Sequence, residues 1–191
     1  MKVLLLDNYD SFTYMLKDYI NQCKVTCNVI RNDDVALFDE FYTFDAIIIS
    51  PGPRSPKYAG QLMNLIQKNQ TTKKPLLGIC LGHQAIGLHL GATLSKAKAP
   101  MHGKIDTIIH NGNMLFKDIP TQFKATRYHS LILENLPQSL ELIANTNNNE
   151  VMGVAHKQLP IWGVQFHPES CTTEHGLQII KNFLILAQQY H

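Results

Sequence analysis

The sequence predicts an α/β protein with a mostly parallel central sheet, helices on its faces and additional antiparallel strands. In the first half of the chain, short apolar runs alternate with segments of helical spacing, which is typical of parallel sheets. The second half is richer in strand signals, and we expect it to supply the antiparallel strands. The 191 residues, 45% hydrophobic and 17% charged, suit one domain with a full core, which we take as residues 1–191.

The first half contains four predicted strands and three predicted helices. The strands are continuous apolar runs, as expected of strands buried on both faces, and Ser11 is a plausible N-cap for the first helix. The strands are 3–6, 25–30, 46–49 and 76–79, and the helices are 12–22, 58–67 and 83–90. Ligands of such sheets bind beyond the carboxyl ends of the strands. Asp7, residues 51–53 and Cys80 follow strand ends, so they should meet at one rim.

The second half contains five predicted strands and a final helix. Asn111 and Gly112 form a strong hairpin signal, and residues 147–149 have the composition of a turn. The final helix should pack through one face that carries Leu177, Ile180, Leu184 and Ala187. The predicted strands are 105–109, 125–128, 140–144, 151–155 and 161–166.

Charge and cysteine content exclude several classes of function. The net charge of +2 is too small for a nucleic-acid-binding surface, and the four cysteines do not have zinc-site spacing. The apolar run at the N-terminus is too short for a signal sequence, and no run approaches the length of a membrane helix. We therefore expect a cytoplasmic protein with reduced thiols and neither nucleic-acid nor membrane partners.

Cys80 lies in the most informative segment of the chain. A short apolar strand precedes it, a helical pattern follows it, and Gly78 and Gly82 flank it at two residues on either side. This is the nucleophile-elbow pattern, with cysteine in place of serine. A helix N-terminus at this position favours the thiolate. A buried core cysteine is the alternative for Cys80 alone.

A second segment provides a base and a carboxylate. His167 ends a predicted strand, Pro168 stiffens the following turn, and Glu169 is placed to orient the imidazole. Cysteine, histidine and glutamate together indicate an acyl-transfer enzyme. Taken separately, His167 could be a core histidine and Glu169 a solvated loop carboxylate.

Residues 50–53 (Ser-Pro-Gly-Pro) could provide part of an oxyanion hole. Gly52 has an N–H outside the sheet and no side chain in the way, and Leu81 provides the N–H that follows the nucleophile. Two such donors could hold the oxygen of a tetrahedral intermediate. A simple strand-ending turn is the alternative interpretation of this segment.

These motifs resemble the triad (class I) glutamine amidotransferases, which have a flavodoxin-like fold. Within that family, the chain is similar to component II of anthranilate synthase or aminodeoxychorismate synthase. The resemblance covers essentially the whole chain. It rests on the motifs at residues 7–13, 50–53, 78–84, 101–104, 127–131 and 163–170.

The resemblance implies a reaction. Cys80 attacks the side-chain amide of glutamine and expels ammonia, and water then releases glutamate from the thioester. His167 is the base and acid, and Glu169 orients it. Gln84 holds the amino-acid end of glutamine, with help from backbone groups of Ser130 and Leu131.

The resemblance also implies a partner. The chain has no apparent chorismate site, so ammonia would go to a large chorismate-binding synthase subunit (component I). The product would be anthranilate for tryptophan, 4-amino-4-deoxychorismate for folate, or both. No cofactor is expected in this chain, and Mg²⁺ is expected on the partner. Residues 7–13 and 101–104 are candidates for the partner-facing surface.

Several alternatives stay open. The same amidotransferase could serve a synthase for GMP, CTP or imidazole glycerol phosphate, or the chain could be a free-standing γ-glutamyl hydrolase. A protein that keeps the fold without catalysis is a third possibility. In the family that the chain resembles, many members carry glycine after the Ser-Pro-Gly-Pro segment, where this chain has Arg54. This difference affects only that position of the loop and not the expected mechanism. His83, His102 and His129 are interpreted as packing or interface residues.

Overall fold

Residues 1–190, which the computed structural model describes, form two β-sheets and five α-helices. The strands are β1 Lys2–Asp7, β2 Thr26–Arg31, β3 Ala46–Ile49, β4 Leu76–Ile79, β5 Thr93–Lys96, β6 Lys104–His110, β7 Gln122–Arg127, β8 Leu131–Glu134, β9 Leu140–Thr146, β10 Val151–His156 and β11 Ile161–Val164. The helices are α1 Thr13–Gln22, α2 Leu37–Glu40, α3 Leu62–Thr72, α4 Leu81–Leu90 and α5 Gly176–Gln188.

The larger sheet has nine strands in the order β2-β1-β3-β4-β11-β10-β9-β6-β7. The first five of these pair in parallel, and the remaining pairs are antiparallel. A separate antiparallel pair joins β5 to β8. The predicted α/β class, with a parallel centre and added antiparallel strands, is therefore confirmed.

The core lies on both faces of the parallel strands. Leu5 of β1 packs in one buried cluster with Phe183 of α5, while its neighbour Leu4 packs in a second cluster with Leu65 of α3. Successive side chains of a strand point to opposite faces. A strand covered on both faces therefore needs the continuous apolar runs seen in the sequence.

The parallel strands bring the candidate functional segments to one rim. Ile79, the last residue of β4, pairs with Val164, the last residue of β11. Cys80 follows the first of these strands, and the segment that leads to His167 follows the second. Ile49 of β3 lies beside Gly78, so residues 50–53 leave the sheet at the same place.

The start of α1 differs from the prediction. The side chain of Ser11 does not cap the helix within residues 1–190. Instead, the carboxylate of Asp10 accepts a hydrogen bond from the N–H of Phe12 at 2.8 Å, and Asp7 accepts one from the hydroxyl of Thr13 at 2.7 Å. Carboxylates at a helix N-terminus also interact favourably with the helix dipole.

Two further predictions on the fold were wrong in detail. The helix expected at residues 58–67 begins at Leu62, because Gly60 has a positive φ of 49° and separates it from a 3₁₀ turn at Pro56–Tyr58. Asn111 and Gly112 do not form a two-residue hairpin. β6 and β7 pair, but the chain between them forms a 3₁₀ turn at Met114–Phe116 whose Phe116 is buried.

The packing face of the last helix is also shifted from the predicted one. Ile180, Leu184 and Ala187 are buried as expected, but Leu177 is 37% exposed. Ile179 takes its place in the core. No helix within residues 1–190 is both long and apolar enough to cross a membrane.

Candidate active site

Cys80 occupies a sharp turn between β4 and α4. Its backbone has φ 50° and ψ −97°, a strained conformation for a residue with a side chain, and its N–H donates to the carbonyl of Val164 at 2.8 Å. A Cβ on Gly78 would lie 2.4 Å from the backbone of Gly82, and one on Gly82 would lie 2.8 Å from Ile49. The flanking glycines are therefore required sterically, as the elbow pattern predicts.

His167 and Glu169 form a buried pair at the same rim. Nδ1 of His167 lies 2.6 Å from Oε1 of Glu169, and the two residues are 3% and 0% exposed. A carboxylate only accepts hydrogen bonds, so Nδ1 carries a proton and Nε2 is the nitrogen available for exchange. The hydroxyl of Thr173 donates to the carbonyl of His167 at 2.6 Å, which fixes the backbone of the pair.

The surroundings of His167 favour its protonated form. Burial lowers the pKa of the ring, but interactions with Cys80 and Glu169 outweigh it, and the pKa lies above its usual value of 6.5. Nε2 forms no hydrogen bond of normal geometry within residues 1–190. The protonated imidazole can therefore stabilise a thiolate on Cys80 and supply a proton to a leaving group.

The predicted oxyanion donors lie next to each other. A Cβ on Gly52 would be 2.8 Å from Cδ2 of Leu81 and 2.6 Å from Cβ of Asn8, so only glycine fits. Neither the N–H of Gly52 nor that of Leu81 has a hydrogen-bond acceptor within the described part of the chain. Both donors are available to an oxyanion beside Cys80.

Asn8 and Asn32 hold the Gly52 loop in place, a role that the sequence did not indicate. The backbone N–H of Asn8 donates to the hydroxyl of Ser50 at 2.9 Å, and its side-chain amide donates to the carbonyl of Ser50 at 2.9 Å. The amide of Asn32 in turn donates to Asn8 at 3.0 Å. The positions of both residues just after strand ends were the only available signal.

A cavity of about 160 Å³ opens beside the nucleophile. Cys80 lines it together with four of the predicted substrate-binding residues, which are Gly52, Gln84, Ser130 and Leu131. The fifth, Leu81, lies against Gly52. The structure therefore brings the predicted substrate-binding residues together beside Cys80. Polar backbone and amide groups dominate this wall, which suits a zwitterionic ligand.

His83 and Gln84 point in different directions. Gln84 lines the cavity. His83 is fully buried, and a Cβ on Gly163 would lie 2.8 Å from its Nδ1. The side-chain nitrogen of Gln84 donates to the carbonyl of Leu131 and to Oε1 of Gln165, both at 3.1 Å, so its oxygen is the atom left for a ligand.

His129 and Arg54 also border the cavity. His129, which was interpreted as a packing or interface residue, is only 5% exposed, and its ring is bonded to Arg127 and to the carbonyl of Leu131. These bonds secure the segment that carries Ser130. Arg54 has a positive φ of 64°, a region that glycine tolerates better, and its side chain is exposed.

We expect the pH dependence of stability to reveal the two buried neutral histidines. Burial lowers the pKa of His83 to about 3, and burial with the charge of Arg127 lowers that of His129 to about 3. Below pH 6.5 the unfolded chain binds protons at both positions that the folded chain does not, so stability falls as the pH falls. From pH 7 to pH 5, each histidine should cost about 2 kcal/mol.

Urea unfolding at pH 7 and pH 5 measures this loss, and the variant His83→Gln isolates one contribution. The raised pKa of His167 acts in the opposite direction, but it is common to both proteins. The loss between the two pH values should be about 2 kcal/mol smaller in the variant. An equal loss in the two proteins would mean that His83 is not held neutral.

Comparison with known proteins agrees with this geometry. A family model described as glutamine amidotransferase class-I matches residues 4–187. Anthranilate synthase component 2 from Azospirillum brasilense is 46% identical over 185 residues, which are 95% of this chain and 94% of that protein. Aminodeoxychorismate synthase from Streptomyces griseus is 40% identical over 195 residues, which are 100% of this chain and 27% of that protein.

A solved structure shows the same fold. A putative GMP synthase component from Thermoplasma acidophilum superimposes with a TM-score of 0.90 at 28% identity, over 100% of this chain and 95% of that one. The elbow, the buried His–Glu pair and the match to the family model agree with each other. The chain therefore belongs to the class-I glutamine amidotransferase family.

Proposed function

We propose that this chain is the glutaminase subunit of a chorismate-using synthase. It hydrolyses L-glutamine through a thioester on Cys80 and delivers the ammonia to a large synthase subunit. The observation that carries the proposal is the position of Cys80, which lines the polar cavity together with Gly52 and lines a neighbouring cavity together with His167, the partner of Glu169. These are the parts that amide hydrolysis through a covalent intermediate requires.

The geometry supports a two-stage reaction. Sγ of Cys80 forms a bond to the side-chain carbonyl carbon of glutamine, and the N–H groups of Gly52 and Leu81 bind the oxygen as it becomes negative. The protonated ring of His167 gives its Nε2 proton to the nitrogen, the C–N bond breaks and ammonia leaves. Neutral His167 then takes a proton from water, which attacks the thioester and releases glutamate.

The part of the cavity wall that Gln84, Ser130 and Leu131 form suits the amino-acid end of glutamine. The free side-chain oxygen of Gln84 can accept from the α-ammonium group, and backbone groups of Ser130 and Leu131 line the same wall. Arg54 at the mouth adds a positive charge near the α-carboxylate. None of these four residues provides a competing activated nucleophile, because Ser130 has no base of its own.

The relatives favour a chorismate-using partner. The curated relatives at 46% and 40% identity are named anthranilate synthase component 2 and aminodeoxychorismate synthase, whereas the similar structure named as part of a GMP synthase is 28% identical. We propose anthranilate, 4-amino-4-deoxychorismate or both as the final product. This chain uses no cofactor in the proposal, Mg²⁺ acts on the partner, and the complex works in the cytoplasm.

A second cavity supports the proposed partner surface. It measures about 310 Å³ and is lined by Cys80 and His167. Tyr9, Phe12 and His102, from the segments 7–13 and 101–104, border it, and Tyr9 is 52% exposed. Ammonia released at Cys80 would have a short path to a synthase docked there.

Reconstitution tests the proposal. The purified chain is mixed with each chorismate-using large subunit from the same source, with chorismate, glutamine and Mg²⁺, and the product is identified by mass spectrometry. We expect glutamine-dependent anthranilate, aminodeoxychorismate or both. We also expect glutamine hydrolysis to accelerate when the partner is present, because a glutaminase that is active without its partner consumes glutamine to no use.

Two results would contradict the proposal. If ammonium supports synthesis with both partners but glutamine supports neither, the chain serves another synthase or acts as a free-standing hydrolase. If glutamine hydrolysis is equally fast with and without a productive partner, activation by that partner is excluded.

A further inference from the structure

A continuous series of buried hydrogen bonds leads from Arg127 to the nucleophile. Arg127 is bonded to His129, His129 to the carbonyl of Leu131, and that carbonyl to the amide of Gln84. Gln84 is bonded to Gln165 at 3.1 Å. The side-chain nitrogen of Gln165 lies 3.6 Å from Sγ of Cys80, so this series of hydrogen bonds ends on the reacting atom.

The donor and the acceptor of each of these hydrogen bonds follow from the bond between Arg127 and His129. The guanidinium of Arg127 can only donate, and its Nε lies 3.1 Å from Nε2 of His129, so that nitrogen is unprotonated. The proton of the neutral ring is therefore on Nδ1, which donates to the carbonyl of Leu131 at 3.0 Å. The lowered pKa of His129 agrees with a neutral ring.

The same argument continues to the sulfur. The carbonyl of Leu131 can only accept, so the amide of Gln84 must present its NH₂ group to it. That NH₂ group also donates to Gln165, which must therefore accept through its oxygen. The NH₂ group of Gln165 is then turned to Cys80, and the orientation of both amides follows from the network.

Gln165 is held rigidly in this orientation. Its side chain is 0% exposed, and its backbone N–H donates to the carbonyl of Met152 at 2.9 Å. Gln84 and Arg127 are 3% and 1% exposed. Asp106 and Glu150 accept hydrogen bonds from the guanidinium of Arg127 and fix its orientation. A fixed, buried donor interacts strongly with a negative atom.

We propose that Gln165 is a further catalytic residue, which donates a hydrogen bond to Sγ of Cys80 and stabilises its thiolate. The bond forms to the attacking sulfur and forms again when the thioester breaks and sulfur leaves with the electron pair. His167 exchanges the proton, while Gln165 transfers none. The inference rests on the proposed function only in taking Cys80 as the nucleophile.

Alkylation of Cys80 by iodoacetamide tests this role without glutamine or a partner chain. The rate is followed from pH 5 to pH 9 by peptide mass spectrometry, which separates Cys80 from the other thiols. In Gln165→Leu, which has a similar size but no donor, we expect alkylation at pH values below the midpoint of the profile to slow about tenfold, the effect of losing a hydrogen bond to a charged group. The midpoint of the pH profile should move upward by about one unit.

Gln165→Glu is a second variant, and its side chain has the same shape as that of glutamine. Its carboxylate can still accept from Gln84 but turns a negative oxygen toward Sγ, so the midpoint should rise at least as far as in Gln165→Leu. Gln122→Leu, on the exposed part of β7, is the matched control and should alkylate like the parent protein. Thermal unfolding checks that each variant is folded.

The results separate this inference from the proposed function. Unchanged pH profiles in both Gln165 variants would overturn the inference, even if the complex makes product from glutamine. Shifted profiles support it, even if no chorismate-using partner is served. Slower alkylation with an unchanged midpoint would show only altered access to the thiol and would also overturn it.

Discussion

Replacing Cys80 with alanine will abolish glutamine-dependent synthesis by the reconstituted complex and leave ammonium-dependent synthesis intact. Sγ forms the covalent bond to glutamine in our account, and no other side chain of the cavity can replace it. Loss of a nucleophile of this type lowers turnover by about 10⁴-fold or more. The product formed with glutamine and with ammonium, measured side by side by mass spectrometry, checks the expectation.

Cys171→Ala is the matched control. Cys171 is close to the triad in sequence, but it is exposed and lies outside both cavities described above. It should retain full activity with either nitrogen source. Glutamine-dependent synthesis by Cys80→Ala at more than about a hundredth of the parent rate would exclude the covalent mechanism.

Glu169→Gln should have the second largest effect. The carboxylate fixes the Nδ1 proton of His167 and helps to raise its pKa. An amide of the same shape can present its NH₂ group to Nδ1, which places the ring proton on Nε2 in the neutral form and removes the stabilising charge. In a comparable serine triad the corresponding change costs about 10⁴-fold in turnover, and we expect about 10²–10⁴-fold here.

The steady-state kinetics of glutamine hydrolysis in the complex measure this effect. The loss should be in kcat, with KM for glutamine nearly unchanged, because Glu169 does not line the glutamine cavity. Glu134→Gln, an exposed carboxylate at the end of β8, should behave like the parent protein. A loss confined to KM would contradict the positioning role of Glu169.

The sequence predicted how the candidate catalytic residues are arranged because much of their geometry is encoded locally. The elbow needs only a strand, a helix and small residues at Gly78 and Gly82. His167 and Glu169 are two residues apart, so their contact depends on one turn. Parallel strands end at one edge, and this general rule was sufficient to place Cys80 and Gly52 together.

Features that depend on tertiary contacts were not predictable in the same way. Among the described residues, β5 and β8 pair only with each other, and their short runs lack a clear strand pattern. Serine is a common N-cap residue, but the carboxylates of Asp7 and Asp10, and not the side chain of Ser11, accept the hydrogen bonds at the start of α1. The link from Gln165 to Gln84 spans distant parts of the chain and has no local signal.

Covalent trapping of Cys80 tests the central claim most directly. The complex is incubated with a glutamine-like diazoketone, which alkylates an activated nucleophile with loss of N₂, and the protein is mapped by peptide mass spectrometry. We predict one adduct, on Cys80, whose formation is prevented by excess glutamine and by the Cys80→Ala substitution. An adduct on Cys171 instead, or none on Cys80 while the partner is bound, would contradict the assignment of Cys80 as the glutamine nucleophile.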